Sequence, residues 1–295
     1  MITRPLGSTG VAVSAIGFGA MPLSIAGRPR EDDSIRILHA ALDAGMTLFD
    51  TADVYCLDHR DIGHNERLVA EALRRWSGSK EGIFVATKGG LERPSGEWTV
   101  NAKPEHLKSA CEASLRALGV DTIALYQLHA PDDRVPFAES VGALAMLRAE
   151  GKIAHVGLSN VNARQLEEAL AITPIASVQN RCNPFERQSF TTGVVAACET
   201  HGVAFLAHSP VGGHRGHARV EIDPTLTKVG ARAGLTPYQV CLVWLLGCSR
   251  SVIPIPGASR AANAVSSAKA MKAALDEADW AALGRAFPIE PSSRS

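Results

Sequence analysis

Short apolar runs alternate with longer stretches of helical period along this chain. The runs Ala15–Gly19, Thr47–Phe49, Ile83–Thr87, Ile123–Leu128, Ile153–Leu158, Ala176–Gln179, Val203–Ala207 and Val252–Pro254 are brief and mostly apolar, with β-branched or aromatic residues. That is the pattern of strands covered on both faces. Helical spacing fills the gaps. Asp32-Asp33-Ser34 caps a helix through Ile35, Leu38 and Leu42 that Gly45 stops. Further helices open at Asn65-Glu66, at Lys103-Pro104, at Pro136, at Asn162 and at Thr236-Pro237. One more runs from about Ser189 to His201, and Ser259 caps the last before a tail carrying Trp280.

Strand–helix alternation repeated eight times predicts a parallel sheet, and eight units at this length fit a closed (β/α)8 TIM barrel. A doubly wound open sheet is the alternative. No linker or low-complexity tract divides the chain, so residues 1–295 read as a single domain. Ahead of the first strand, Arg4–Leu6 and Val11–Val13 flank Gly7-Ser8-Thr9-Gly10 and read as an N-terminal β-hairpin. With no helix after it, the hairpin is expected to cover the N-terminal base of the barrel.

Composition narrows the function. Lys plus Arg number 30 and Asp plus Glu number 30, so no basic excess exists for bulk binding of nucleic acid. No membrane-length apolar run is present, and the first residues lack a signal-peptide core. The 6 cysteines form no CxxC pair and no zinc spacing. A cytoplasmic protein with reduced thiols is the expectation. Oligomeric state has no signature here.

The chemistry lies at the C-terminal ends of the strands, which face the mouth of such a barrel. The second strand delivers Asp50, with Tyr55 just beyond it; the third delivers Lys88; the fourth delivers His129. A carboxylate, a phenol, an ammonium and an imidazole so gathered suit proton transfer to or from a phenol. Tyrosine titrates near about 10, and a neighbouring ammonium favours the phenolate. The carboxylate would hold the lysine charged, and the imidazole would orient a carbonyl oxygen or relay the proton. Tyr55 is then the general acid in carbonyl reduction and the base in the reverse oxidation. No side chain supplies hydride, so the reaction needs a redox cofactor.

At these residues the chain resembles the aldo-keto reductases. The matching blocks are Leu48-Phe49-Asp50-Thr51-Ala52-Asp53-Val54-Tyr55 with Asn65-Glu66, then Val85-Ala86-Thr87-Lys88, Leu125-Tyr126-Gln127-Leu128-His129, and Gly151-Lys152-Ile153. Val156-Gly157-Leu158-Ser159-Asn160, Val178-Gln179-Asn180, Ser209-Pro210-Val211-Gly212-Gly213 and Ile253-Pro254-Ile255-Pro256-Gly257 follow in the family's order. The nearest resemblance is to the bacterial branch of pyridoxal reductases and aryl-alcohol dehydrogenases. It implies a (β/α)8 barrel and NAD(P)H-dependent reduction of a small aldehyde or ketone, with Asp50, Tyr55, Lys88 and His129 as the catalytic tetrad. It sets Ser159, Asn160 and Gln179 on the nicotinamide carboxamide, with Asp50 close by, and Ala20 and Met21 beside the nicotinamide ribose. The loop Ser209, Pro210, Gly212, Gly213 falls along the pyrophosphate, and the segment from Gly257 at the adenosine end.

Departures from the family pattern sharpen the expectations. His208 stands where an aromatic usually stacks on nicotinamide. At the adenosine end Ser266 and Ser267 replace the usual acidic or amide residue and asparagine. Arg260 is then the basic candidate for a 2′-phosphate, which favours NADPH, with NADH as the alternative. Trp98 is a candidate wall of the substrate pocket. His208, His214 and His217 sit among glycines and read as a flexible loop rather than a metal site. Two other functions use the same barrel: a Schiff-base lyase or aldolase with Lys88 as nucleophile, and a cofactor-binding regulatory subunit.

Overall fold

The computed structural model describes residues 2–289, without the side chains of 214 and 215. An antiparallel hairpin, β1 (Thr3–Pro5) and β2 (Ala12–Ser14), comes first. Eight parallel strands follow: β3 (Phe18–Gly19), β4 (Leu48–Asp50), β5 (Phe84–Gly89), β8 (Ile123–Leu128), β9 (Ile153–Ser159), β10 (Ile175–Arg181), β11 (Ala204–His208) and β12 (Val252–Pro254). Between β5 and β8 the chain makes a second small hairpin, β6 (Leu91–Glu92) and β7 (Thr99–Val100). The parallel strands pair in sequence order.

Backbone bonds join the first strand to the last. The Gly17 amide donates to Pro254 O at 2.9 Å, the Gly19 amide to Pro256 O at 3.0 Å, and Gly19 bridges Gly257 in parallel. This seam needs glycine. A Cβ on Gly19 would lie 2.9 Å from the Ile255 carbonyl oxygen. One on Gly257 would lie 2.7 Å from the Pro22 side chain.

Helices α1 (Glu31–Asp43), α2 (His64–Arg75), α3 (Pro104–Leu118), α4 (Phe137–Ala149), α5 (Ala163–Leu170), α6 (Gln188–Thr191) and α7 (Val194–His201) cover the first part of the sheet. α8 (Gly213–Ile222), α9 (Pro224–Ala233), α10 (Pro237–Cys248), α11 (Ala261–Lys269) and α12 (Glu277–Ala286) complete the chain. Asn162 and Thr236 each form a full capping box with a Gln three residues on, as expected, whereas α1 starts at Glu31 after Arg30, so Asp32, Asp33 and Ser34 lie within its first turns rather than capping it. Apolar side chains fill the space between sheet and helices, with Tyr126, Phe205 and Trp244 buried on one side and Phe18, Phe49 and Leu38 on the other.

The eight strands and the leading hairpin match the sequence expectation. Several features differ. The helix expected over Ser189–His201 is broken at Gly193, whose φ of 80° ends α6 before α7 begins. The glycines after Ser209 do not make a flexible loop; Gly212 caps α8. Helix α9, opened by Asp223 and Pro224, and the β6–β7 hairpin were not anticipated. Helix α11 begins one residue later than Ser259 would place it, with Arg260 at its cap, and the expected tail carrying Trp280 is helix α12.

The β1–β2 hairpin stops the base. Leu6 and Val13 are fully buried in one cluster with Leu48, Leu125, Leu206 and Ile253. The Arg4 guanidinium donates to the carbonyls of Leu246, Ser249 and Val252, which tie the hairpin to the end of α10 and the start of β12. Truncation of Leu6→Ala is expected to lower unfolding free energy by about 2–5 kcal/mol in urea denaturation. A loss under about 1 kcal/mol would show that the hairpin does not seal the barrel.

Candidate active site

Alternate residues of a strand face the same side of a sheet, and here the inward faces change character along the barrel. Near the base they are apolar: Leu48, Phe84, Ala86, Leu125, Leu206 and Ile253. Two residues further on they become polar: Asp50 after Leu48, Lys88 after Ala86, Gln127 and then His129 after Leu125, and His208 after Leu206. The mouth is therefore lined with charge and hydrogen-bonding groups above an apolar plug.

Lys88 is the hub of that layer. It is fully buried, and its Nζ donates to Asp50 Oδ2 at 2.7 Å, to the Thr51 carbonyl at 2.9 Å and to the Tyr55 hydroxyl at 3.0 Å. All three ammonium hydrogens are thus engaged. The other carboxylate oxygen, Asp50 Oδ1, accepts from Gln179 Nε2 at 2.7 Å and from Gln127 Nε2 at 3.3 Å. Gln127 Oε1 in turn accepts from Ser177 Oγ at 3.4 Å. The His129 ring meets the Tyr55 ring edge-on at 5.7 Å, and its Nδ1 is buried without a partner among the described residues. On the solvent side Trp98, 47% exposed, stands edge-on to Tyr55 at 6.3 Å.

Electrostatics set the protonation states. Burial pushes Lys88 down, but Asp50 and Tyr55 outweigh it and hold the ammonium above its ordinary value. For Tyr55 burial is the largest influence and raises the phenol; Lys88 pulls it down and Asp50 pushes it up again. The net rise reverses the lowering that the neighbouring ammonium alone would produce. Desolvation of the phenolate wins, and the phenol keeps its proton at neutral pH. Burial, with help from Lys88 and His208, holds His129 well below its usual range. Burial, Lys88 and Arg181 bring His208 down to about 3. Both imidazoles are therefore neutral at physiological pH. Two carboxyls beyond the site are pushed upward: Asp53 by burial and the Glu66 carboxylate, and Glu66 by burial.

The remaining expected residues ring the mouth. Ala20 is buried, with its amide on the Asp50 carbonyl at 2.8 Å, and Met21 packs against Ala52, Val54 and Tyr55. Ser159 ends β9, and its hydroxyl accepts from Asn160 Nδ2 at 3.1 Å. Asn160 has a left-handed backbone, φ 58°, and also donates to the His129 carbonyl at 2.9 Å. Ser209, with φ 52°, bonds His208 Nδ1 at 3.2 Å through its hydroxyl. Pro210 is buried, and Gly212 and Gly213 lead into α8 with φ of 87° and 61°. No side chain caps the N-terminus of α8 or of α11.

Not every expected residue joins the cluster around Lys88. Gly257 forms the barrel seam. Arg260 is exposed at the start of α11, and Ser266 and Ser267 are half-buried on that helix beyond its first turn, with the Ser266 carbonyl accepting from Gln239. His217 stacks on Tyr238 at 4.3 Å, and no cluster of three metal-ligating side chains occurs among the described residues. No helix there is long and apolar enough to cross a membrane.

Sequence reasoning missed two parts of the site. Gln127 holds Asp50, and a period-two reading would have found it, since it shares a face with Leu125 and His129. Asn65 braces the loop: its Nδ2 donates to the Ala20 carbonyl at 2.8 Å, and its Oδ1 accepts from Thr51 Oγ1 at 2.6 Å. That role depends on contacts distant in sequence and leaves no local pattern.

Comparison with known proteins agrees with this geometry. The model described as "Aldo/keto reductase family" matches residues 15–286. A probable aldo-keto reductase 1 of Glycine max is 33% identical, covering 96% of this chain and 88% of its own length. The NADP(+) aldo-keto reductase yakc of Schizosaccharomyces pombe is 30% identical, over 94% and 88%. Among solved structures, a glycerol dehydrogenase from Gluconobacter oxydans superposes with TM-score 0.82 at 27% identity, covering 99% of this chain and 98% of that one. An aldo/keto reductase from Klebsiella pneumoniae, in complex with NADP and acetate, gives 0.81 at 26%, covering 100% and 98%. The chain belongs to the aldo/keto reductase family of oxidoreductases.

The neutral state of His208 has a consequence for acid stability. In the unfolded chain it protonates near about 6.5, whereas in the fold it does so only near about 3. The unfolded state therefore binds more protons between these values. Stability is present above pH ~6.5 and falls by up to about 1.4 kcal/mol per pH unit on acidification toward 3. His208→Phe is expected to flatten this fall in denaturation curves between about pH 6.5 and 4. An unchanged slope would contradict the half-buried, neutral imidazole.

Proposed function

We propose that the chain reduces the carbonyl of a small aldehyde or ketone with NADPH, reversibly, and that Tyr55 supplies the proton. The observation that carries this reading is the buried contact of Lys88 with both Asp50 and the Tyr55 hydroxyl. Asp50 keeps the lysine charged and aimed. Lys88 then presents a positive charge 3.0 Å from the phenolic oxygen, where negative charge develops as the proton leaves. Burial keeps Tyr55 protonated until a carbonyl oxygen arrives to take that proton. The neutral His129, edge-on to Tyr55, offers a ring N–H to the same oxygen and orients it. In oxidation Tyr55 runs the other way, as base.

The residues around the mouth fit a nicotinamide dinucleotide. Gln179 spends its Nε2 on Asp50, leaving Oε1 for a carboxamide N–H; Ser159 and Asn160 offer a hydroxyl and an amide beside it. His208 presents a flat neutral ring at the end of β11. Ser209, Pro210, Gly212 and Gly213 approach the uncapped amides of α8, where bare backbone would receive a pyrophosphate. A Cβ at Gly213 would fill that space, 2.9 Å from Ser209 Oγ. Arg260, exposed at the uncapped start of α11, would bind a 2′-phosphate, with Gly257, Ser266 and Ser267 toward the adenosine. The named NADP dependence of the fission-yeast relative and the NADP complex of the Klebsiella structure support the same choice. When bound, the cofactor supplies hydride to the carbonyl carbon.

The raised Lys88 also bears on the aldolase alternative. An ammonium with three hydrogen bonds, held charged by Asp50, is a poor nucleophile, whereas Schiff-base lysines need a lowered value.

Tyr55→Phe is expected to lower turnover by about 10²–10⁴ with any aldehyde the wild type reduces, while NADPH binding, read by fluorescence titration, is retained. Full activity in that variant would remove Tyr55 as proton donor. Because burial holds the phenol above about 10, the reduction rate is expected to stay level from about pH 6 to about pH 9 in steady-state assays.

A further inference from the structure

One buried cation beside the site has no part in this chemistry. Arg93 follows β6 and is 6% exposed. Its Nη2 donates to the Cys56 carbonyl at 3.0 Å and to the Leu57 carbonyl at 2.9 Å, the two residues after Tyr55. Its guanidinium carbon, Cζ, lies over the Trp98 ring, 3.9 Å from the ring centre. The other nitrogens, Nε and Nη1, have no partner among the described residues. The neighbouring turn also approaches the loop: a Cβ on Gly96, whose φ is 89°, would lie 3.1 Å from the Leu57 carbonyl oxygen.

Burying a guanidinium without a carboxylate is unfavourable, and an apolar side chain of similar size would fill the volume without that penalty. What an apolar residue cannot do is grip two carbonyls and offer a flat cationic face to an indole at once. Both segments held by Arg93 border Tyr55: the loop of residues 55–57 carries it, and Trp98 stands edge-on to its ring. Trp98 and His129 each meet the Tyr55 ring at a steep angle, 73° and 82°.

We propose that Arg93 is a positioning residue for the substrate pocket. It clamps the loop after Tyr55 to the hairpin and fixes the Trp98 indole as a wall beside the reacting carbonyl, which selects flat aromatic carbonyl compounds over small aliphatic ones. This selectivity rests on the reading of Tyr55 as the proton donor; the clamp itself does not.

The test compares wild type, Arg93→Met, Arg93→Lys, Gly96→Ala and Trp98→Phe in NADPH-dependent reduction of benzaldehyde and propanal. Arg93→Met is expected to raise KM for benzaldehyde about tenfold while KM for propanal and both kcat values stay within about twofold. Trp98→Phe and Gly96→Ala shift the same ratio in the same direction. Arg93→Lys keeps the charge without the plane and behaves like the Met variant. An unchanged benzaldehyde-to-propanal KM ratio across the variants overturns the proposal, as does full rescue by lysine. The clamp is read independently by acrylamide quenching of tryptophan fluorescence. Arg93→Met, or Arg93→Lys if the former does not fold, is expected to increase quenching in the wild-type background and leave it unchanged in the Trp98→Phe background. The same increase in both backgrounds overturns the clamp. If the wild type reduces no carbonyl compound while the quenching result holds, the reading of Tyr55 has failed and the clamp stands.

Discussion

A lysine ammonium buried at the centre of a barrel dictates the surrounding layer. Lys88 has no exposed surface, so its charge must be balanced and all its hydrogens bonded within the fold. Asp50 provides the balancing charge, and the Thr51 carbonyl and Tyr55 hydroxyl complete the set. The need then passes outward, because Asp50 requires donors of its own and finds them in Gln179 and Gln127. Five side chains from four strands and one loop are fixed by one charge. Such a network is rigid because loss of any member strands a buried polar group.

The rest of the fold serves that layer by keeping water from beneath it. The hairpin at the base plugs the barrel with Leu6 and Val13, and the apolar interior separates this plug from Asp50 and Lys88. Pairing of β3 with β4 sets the Ala20 amide on the Asp50 carbonyl, and the glycine-lined seam joins β3 to the last strand. On the open side, the Tyr55 ring is bordered by the rings of His129 and Trp98. Burial around them leaves both His129 and His208 neutral, so Lys88 is the cation in direct contact with the phenol.

Much of this was legible from pattern. Parallel strands are short apolar runs, and here most are followed by a polar residue of distinct chemistry, so Asp50, Lys88 and His129 could be assigned to one mouth before any contact was known. What escaped has physical reasons. Helix α8 hides behind three glycines, which lower helix propensity but leave the free amides at its start. The β6–β7 hairpin has two residues per strand, too few for a period to register. The sign of the shift at Tyr55 depends on a competition between desolvation and Lys88 that only burial decides. Arg93 reads in the sequence as an ordinary charged loop residue; its burial under Trp98 is a tertiary fact.

The central claim is that Lys88 acts as a charged partner of Tyr55 in proton delivery, and the most direct measurement is a single turnover of Lys88→Met with prebound NADPH and an aldehyde that the wild type reduces. The account predicts that NADPH binds within a few-fold of wild type while its oxidation slows by about 10²-fold or more. Oxidation at the wild-type rate would contradict it.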